Sequence, residues 1–369
     1  MKFAPVARRV ARSLVRRGLR SARLRDVVEA ELACATKPTA TPLPPPAMPA
    51  VFTDRHGVDH ALDPGLRDRL KPAWRTMCDP VAASLPPTDE VLGGKARKAA
   101  KSATEMERLL GATSGVSVAG RILEIGCFDG AAAFELSKRP GASVVGSDLA
   151  RYYMTQRPGR PADGALAEEQ ERLAELRERA REIAGVAPGR VSFVEDDITA
   201  SALEPGTFDL ICSFEVLEHL LRPPDAFAMM ATLLRPGGHV YGDYNPFFSA
   251  IGGHSLGTLD VPWGHARFAP DDLARYLREI RPSEVEQAQR FLDESLNRMT
   301  LADLQAAISG SGLELLAVIP WYERALVPRL TPEVLNDVRR EYPTATLDDL
   351  LATFVAVIAR KPGGEAPGR

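Results

Sequence analysis

Cysteine is scarce in this chain. Cys34, Cys78, Cys127 and Cys212 stand far apart, and no two form a Cys-x-x-Cys pair. That excludes a zinc ribbon and a disulfide framework and fits a reducing compartment, read here as the cytoplasm. Long apolar runs are missing too: none reaches the roughly 18 residues that mark a spanning helix. The first apolar stretch is broken by arginines, which argues against a secretory leader. The acidic excess is small, at -3 overall, and it conceals an asymmetry. Residues 1–33 hold nine Lys/Arg against three acids, a net +6 that leaves -9 on the remainder. A basic face for nucleic acid is therefore absent from the core, and nucleic acid is not an expected partner.

What is present is enough chain, 369 residues, for one core domain with appendages. In the head, Phe3, Val6, Val10 and Leu14 recur at helical intervals with arginines between them. Residues 1–35 thus read as a basic amphipathic helix. Three roles fit it: a solvated helix docked on the main domain, a targeting peptide, or peripheral contact of residues 1–33 with an anionic membrane or partner. Residues 36–50 carry six prolines in fifteen positions and form a stiff linker. Residues 51–94, rich in turn formers, read as an appendage or cap. A lead-in helix is expected over 95–110, ended by Gly111. Strand-like runs then appear at 121–125, 143–147, 191–195, 208–214 and 238–244, with helical segments between them. Two late apolar runs, "GLELLAVIP" and "TFVAVIARK", add two more strands, and 363–369 reads as a flexible tail. Alternation of this kind predicts an α/β fold, a doubly wound, mostly parallel seven-stranded sheet covered on both faces. The insert 149–190 is helical: Leu166, Leu173, Leu176 and Ile183 share a face, and Glu168–Arg172 and Glu175–Arg179 are spaced to pair. No internal repeat is visible.

The first strand runs into "EIGCFDG". A dinucleotide fingerprint needs glycines at relative positions 0, 2 and 5, so that a pyrophosphate can lie on a helix N-terminus. Counted from Gly126, those later positions are Phe128 and Ala131, so the fingerprint fails twice. A Gly-x-x-x-x-Gly-Lys-Ser/Thr phosphate loop is also missing. Glu124, Gly126 and Gly130 remain, which suits a cofactor without phosphates. Asp129 is best read as a helix cap.

In order and character, "EIGCFDG", "VVGSDLA", "VSFVEDDI", "FDLICSFEVLEHL" and "LLRPGGHVYGDYNP" resemble the class I S-adenosylmethionine-dependent methyltransferases. The likeness is close over about 115–250, and the two late strands resemble that fold's terminal antiparallel hairpin. Phe128 departs from the pattern, standing where this family usually has glycine. The resemblance implies S-adenosyl-L-methionine as cofactor and a Rossmann-like fold over 95–362. It places Gly126 against the cofactor's amino-acid moiety and Glu124 near its ammonium. It also puts Asp148, followed by Leu149, on the ribose hydroxyls. Asp197, rather than Asp196, aligns with the acid that meets the adenine amino group, with Ile198 as its backbone neighbour and Phe214 beside the cofactor.

Methyl transfer from a sulfonium is an in-line displacement that needs alignment, dryness and often a base. Two stretches fall beyond the carboxyl ends of the strands, where such chemistry sits. In "FEVLEH", Glu215, Glu218 and His219 stand at i, i+3 and i+4 and would share one face of a helix. Carboxylates with imidazole can hold a divalent cation. The segment also resembles the metal-binding segment of ubiquinone-pathway and small-RNA 2′-O-methyltransferases. A buried, hydrogen-bonded His219 with no metal is the alternative and the preferred reading. The acceptor-side loop, 242–268, holds His254 and His265, the two candidate general bases, with Asp243 and Tyr244 placed to orient an acceptor. His239 is expected to pack on its strand.

The function expected is methyl transfer to a hydroxyl of a small molecule or glycan. Its rivals are nucleic-acid methylation and a non-catalytic protein that binds or senses the cofactor.

Overall fold

The computed structural model describes residues 51–79, 85–155 and 164–363. The expected basic helix at 1–35, the linker at 36–50 and residues 364–369 of the tail lie outside the described residues.

A small antiparallel hairpin, β1 (Val51–Thr53) and β2 (Asp59–Ala61), is followed by two short helices, Leu66–Leu70 and Trp74–Cys78. The long helix α1 (Asp89–Ser114) begins at Thr88, whose hydroxyl accepts from the Val91 N–H, and ends at Gly115 with φ 69°. The expected boundary at 94/95 therefore falls inside one helix, and Gly111 lies within it rather than ending it. Glycine is tolerated in a helix interior at a modest cost, and only Gly115 takes the left-handed turn that stops one.

The main sheet alternates with helices in the order β3 (Gly120–Ile125), α2 (Ala131–Leu136), β4 (Ala142–Asp148), α3 (Ala150–Thr155), α4 (Ala165–Ala184), β5 (Val191–Glu195) and β6 (Phe208–Phe214). Then come α5 (Pro223–Leu233), β7 (Leu234–Tyr244), α6 (Pro270–Ile280), α7 (Val285–Glu294), α8 (Leu301–Gly310), β8 (Glu314–Tyr322), α9 (Pro332–Glu341) and β9 (Ala352–Arg360). Seven strands lie in the order β5-β4-β3-β6-β7-β9-β8. The first five run parallel, and β9 lies antiparallel between β7 and β8. This is the doubly wound α/β sheet expected from the alternation.

Both faces of the sheet are buried, with the two-residue period of a strand. Leu123, Ile125 and Ile211 pack toward α5 and α8, while Ile122, Leu210 and Cys212 pack toward α1 and α2. Register aligns the strand ends: Ile125 lies beside Ser147 and Ser213, and Phe214 beside Asp243. The edge at which the parallel strands end is thus one continuous ledge. A separate apolar cluster, including Phe247, Phe248, Trp263, Phe291 and Val338, turns 245–268 into a packed lid over that edge.

Two details of the insert differ from expectation. Leu173 and Leu176 are buried, but Leu166 and Ile183 are exposed. Arg172 pairs with Glu169 and Arg181 with Glu178, at i,i+3, instead of the expected Glu168–Arg172 and Glu175–Arg179. Arg179 reaches across to Asp89 on α1 at 2.7 Å. Tertiary contact outweighs local pairing here, since a surface i,i+4 pair contributes only about 0.2–0.5 kcal/mol. No helix among the described residues is long and apolar enough to cross a membrane.

Candidate functional site

The turn from β3 into α2 is built on close approach. Gly126 has φ 71°, and a Cβ there would meet Val216 Cγ2 at 2.5 Å. Gly130 has φ 78°, and its Cβ would meet the Phe193 ring at 2.6 Å. Phe128 adopts φ 43°, a left-handed conformation that costs a non-glycine residue about 1–2 kcal/mol. It is held there from several sides. Its N–H donates to Asp148 Oδ2 (2.5 Å), its carbonyl accepts from Arg177 Nε (2.8 Å), and Lys95 Nζ sits 4.3 Å from its ring centre. Asp129 is not the helix cap, which is Gly130; it stands one residue earlier, accepts from the Ala131 N–H and pairs with Lys95 at 2.7 Å.

Glu124 ends deep under this turn, 3 % exposed. Burial, then the nearby Asp129 and Asp148 charges, push its carboxyl well above the usual range. Its Oε2 has no hydrogen-bond partner among the described residues. Asp148, at the end of β4, takes three donors: the Phe128 N–H, the Leu149 N–H (2.7 Å) and the Tyr153 hydroxyl (2.6 Å). Burial raises its pKa, and those donors partly offset the rise. The carboxylate faces the turn, but part of its capacity is used by α3. The Tyr153 ring also covers Phe128, with centroids 4.6 Å apart.

Asp197 is drawn into a local turn, accepting from the N–H and hydroxyl of Thr199, and pairs with Arg151 at 2.8 Å. Burial pushes its carboxyl up, but these donors and cations outweigh it and leave the pKa low. The free buried oxygen of this acidic pair belongs to Asp196, whose Oδ2 has no partner among the described residues. Ile198 is buried in the core, and Phe214 packs between Tyr241 and the alanines Ala99, Ala131 and Ala132.

The acceptor side departs further from expectation. After β6 the chain forms a three-residue 3-10 turn, Leu217–His219, so no helical face collects Glu215, Glu218 and His219. Glu215 takes φ 56° and turns outward to Lys98 at 2.5 Å. Its N–H donates to Asp243 Oδ1 at 2.9 Å, and the Tyr241 hydroxyl donates to Asp243 Oδ2. Among the described residues the grouping that could hold a cation is instead Glu218, His219 and His254, whose ligand atoms lie within 4.8 Å of one another. This corrects the set Glu215, Glu218, His219: His254, from the lid, takes the place of Glu215.

Glu218 is fully buried. Its Oε1 accepts from the N–H and Nδ2 of Asn245, while its Oε2 has no partner among the described residues. His254 Nε2 is 3.7 Å from Glu218 Oε1 and has no hydrogen-bond partner among the described residues. His219 bonds the Ser295 carbonyl through Nδ1 at 2.6 Å, and burial brings its pKa down to about 4. By exposure His219 is half-buried, not fully buried as expected. His265 is also structural. It is 2 % exposed, bonded to the Phe247 carbonyl at 2.8 Å and edge-on to that ring, with burial holding its pKa at about 4. It is withdrawn as a base because its nitrogen is committed inside the lid. His239 packs on β7 as expected, 5 % exposed.

The buried carboxyl makes stability depend on pH. Burial pushes Glu218 from 4.5 up to about 8. Between those values the folded state holds a proton that the unfolded state has released, so stability falls as pH rises through that window. In chelator, the melting temperature should decline from pH 5 to pH 8, and Glu218→Gln should flatten that decline. An unchanged slope in the variant would show that Glu218 is not its source.

The sequence model of a family described as a methyltransferase domain matches residues 92–318. This chain belongs to that family. Its cofactor is S-adenosylmethionine. Among curated relatives, the ubiquinone biosynthesis O-methyltransferase of Ralstonia nicotianae is 34% identical over 172 residues, which is 45% of this chain and 58% of that protein. The protein of that name from Burkholderia orbicola is 38% identical over 96 residues, covering 25% of this chain and 39% of its own. The match thus spans little more than half of these relatives at most. Among solved structures, phosphoethanolamine N-methyltransferase 2 of Haemonchus contortus with S-adenosyl-L-methionine aligns with TM-score 0.41 at 15% identity, over 70% of this chain and 52% of that one.

For a methyltransferase, the unpartnered Glu124 oxygen is the feature that best fits the cofactor, because the ammonium of its amino-acid end can supply the missing donor. Sequence reasoning missed two residues at this end, Tyr153 and Arg177. Both come from the insert, whose helical pattern gives no sign of what it covers. On the expected placement of the ribose at Asp148, the Tyr153 hydroxyl, which donates to that carboxylate at 2.6 Å, competes for it. Tyr153→Phe should therefore tighten S-adenosylmethionine binding by about tenfold, the equivalent of one charge-assisted hydrogen bond. Titration calorimetry checks this, and weaker binding in the variant would mean that Tyr153 holds the cofactor instead.

Proposed function

We propose that this methyltransferase transfers the methyl group of S-adenosylmethionine to a hydroxyl of a small molecule or glycan. The observation that carries this reading is the placement of Glu218 and His254. Glu218 follows β6 and His254 comes from the lid, and Glu218 Oε2 and His254 Nε2 are buried atoms without a hydrogen-bond partner among the described residues. Val216, in the same segment, presses on the Gly126 turn. In this reading Glu124 takes the cofactor's ammonium and Asp148 its ribose. Asp197 and Ile198 mark its adenine end, and Phe214 lines the wall beside it. His254 is the proton acceptor. Burial, and then His219, keep its pKa well below 6.5, so the imidazole is neutral and ready to accept at neutral pH.

The donor set of one carboxylate and two imidazoles also suits a divalent cation. Bound there, such an ion would polarise the acceptor oxygen. The lid from 245 to 268 keeps water out, as in-line transfer to a weak nucleophile requires. The relatives' names support an oxygen acceptor. A panel of hydroxyl, amine and carbon acceptors, scored by release of S-adenosylhomocysteine, tests the reading. Turnover confined to amines would overturn the oxygen assignment. Binding of neither S-adenosylmethionine nor S-adenosylhomocysteine would remove the enzyme altogether.

A further inference from the structure

Cys127 and Phe128 lie in the turn from β3 into α2, and one side chain from the insert helix α4 touches both. Arg177 donates through Nε to the Phe128 carbonyl at 2.8 Å. Its Nη2 stands 3.6 Å from Cys127 Sγ and 4.0 Å from Asp148 Oδ2. The guanidinium also lies over the Phe193 ring, 4.6 Å from its centre. Gly130 rests on that same ring, since a Cβ at Gly130 would meet it at 2.6 Å. Arg177 thus braces the turn at Phe128 directly and at Gly130 through Phe193.

The brace is itself held. Leu173, Leu176 and Ala180 are the buried residues that seat α4 around Arg177, which is half-buried. Two positions on, Arg179 donates to the Pro87 carbonyl at 3.0 Å and to Asp89 at 2.7 Å, which fastens α4 to the start of α1. A guanidinium is planar and always charged, so its hydrogen bonds have a defined direction. Phe128 is the residue that needs such a brace. At φ 43° it holds a conformation that glycine adopts freely and that a Cβ resists. Its N–H donates to Asp148, the acid that the reading above puts on the ribose. Relaxation of Phe128 toward negative φ would rotate the adjoining peptide planes and carry that N–H off the carboxylate. The bond from Arg177 to the carbonyl opposes this rotation, whereas Lys95 and Tyr153 touch only the ring.

We propose that Arg177 is a positioning residue for S-adenosylmethionine, acting through the Phe128 backbone, so that α4 serves the cofactor. This rests on the placement of the cofactor at that turn in the reading above. The test is a double-substitution cycle, with S-adenosylmethionine titrated by calorimetry into full-length protein. Titrations are run well below each variant's melting temperature, so that the molecules titrated are folded. With Phe128 in place, Arg177→Met should weaken binding about tenfold or more. In the Phe128→Gly background the same substitution should cost less than about threefold, because glycine holds the turn unaided. A general loss of packing around α4 would cost the same in both backgrounds. Equal losses in the two backgrounds overturn the proposal, as does unchanged affinity in Arg177→Met alone. If Arg177→Met does not fold by itself, the doubly substituted protein decides. Affinity within about threefold of Phe128→Gly supports the pairing, and failure to fold or to bind overturns it. Asp148→Asn is titrated alongside. Undiminished affinity there overturns the placement of the cofactor, and this proposal with it. Lost affinity there beside an unaffected Arg177→Met overturns this proposal alone.

Discussion

Replacing Asp148 by Ala is expected to weaken S-adenosylmethionine binding by at least about 100-fold. A carboxylate bonded to both ribose hydroxyls offers two charge-assisted hydrogen bonds, each contributing about 1.5–3 kcal/mol, and about 2.7 kcal/mol already corresponds to 100-fold. The same carboxylate also organises the protein. It accepts from the Phe128 N–H and the Tyr153 hydroxyl, so its removal strands donors in the cofactor turn. Asp148→Asn keeps the volume and one acceptor oxygen while removing the charge. It should lose most of the affinity while melting closer to the parent protein than Asp148→Ala does. Calorimetric affinity and melting temperature, read together on both variants, separate ligand binding from loop support. Unchanged affinity in both would mean that the sugar lies elsewhere.

The sheet was legible because its signals are local and redundant. Each parallel strand is a short apolar run bounded by turn residues, and burial on both faces leaves such runs little alternative. The residues from which the cofactor turn was inferred stand together in the structure for the same reason. Gly126 and Gly130 do what glycine alone does cheaply, and Glu124 and Asp148 end adjacent strands. Phe128 was legible as a departure but not as a solution. Its strained backbone is held by Arg177, about 50 positions further along the chain. The acceptor side was less legible because its geometry depends on chain reversals. Helical spacing predicted one face for Glu215, Glu218 and His219, but a left-handed residue at 215 breaks that face before it forms. His254 and His265 look alike in sequence. The lid core commits His265 to the Phe247 carbonyl and leaves His254 Nε2 open among the described residues, a difference made by packing rather than by neighbours in the chain.

His254→Ala should lower kcat by roughly 10²–10⁴-fold, the usual contribution of a positioned proton acceptor, with cofactor affinity unchanged. Loss of lid structure would mimic this result, and the backbone offers a way to tell the two apart. His254 sits at φ 53°, where a side chain costs about 1–2 kcal/mol and glycine costs little. His254→Gly relieves that strain while removing the imidazole. It should therefore melt at or above the temperature of His254→Ala yet be no more active. The pH profile adds a second check. Because burial holds the imidazole pKa well below 6.5, activity should be constant through neutrality and fall only in acid, as His254 takes up a proton. That acid limb should be absent from the residual activity of either variant. Chelator separates base from metal ligand: a proton acceptor leaves parent turnover insensitive to it. If His254 holds a cation with Glu218 and His219, chelator abolishes turnover and added magnesium or manganese restores it. Full activity in both variants would remove His254 from the chemistry and leave alignment alone to carry the reaction.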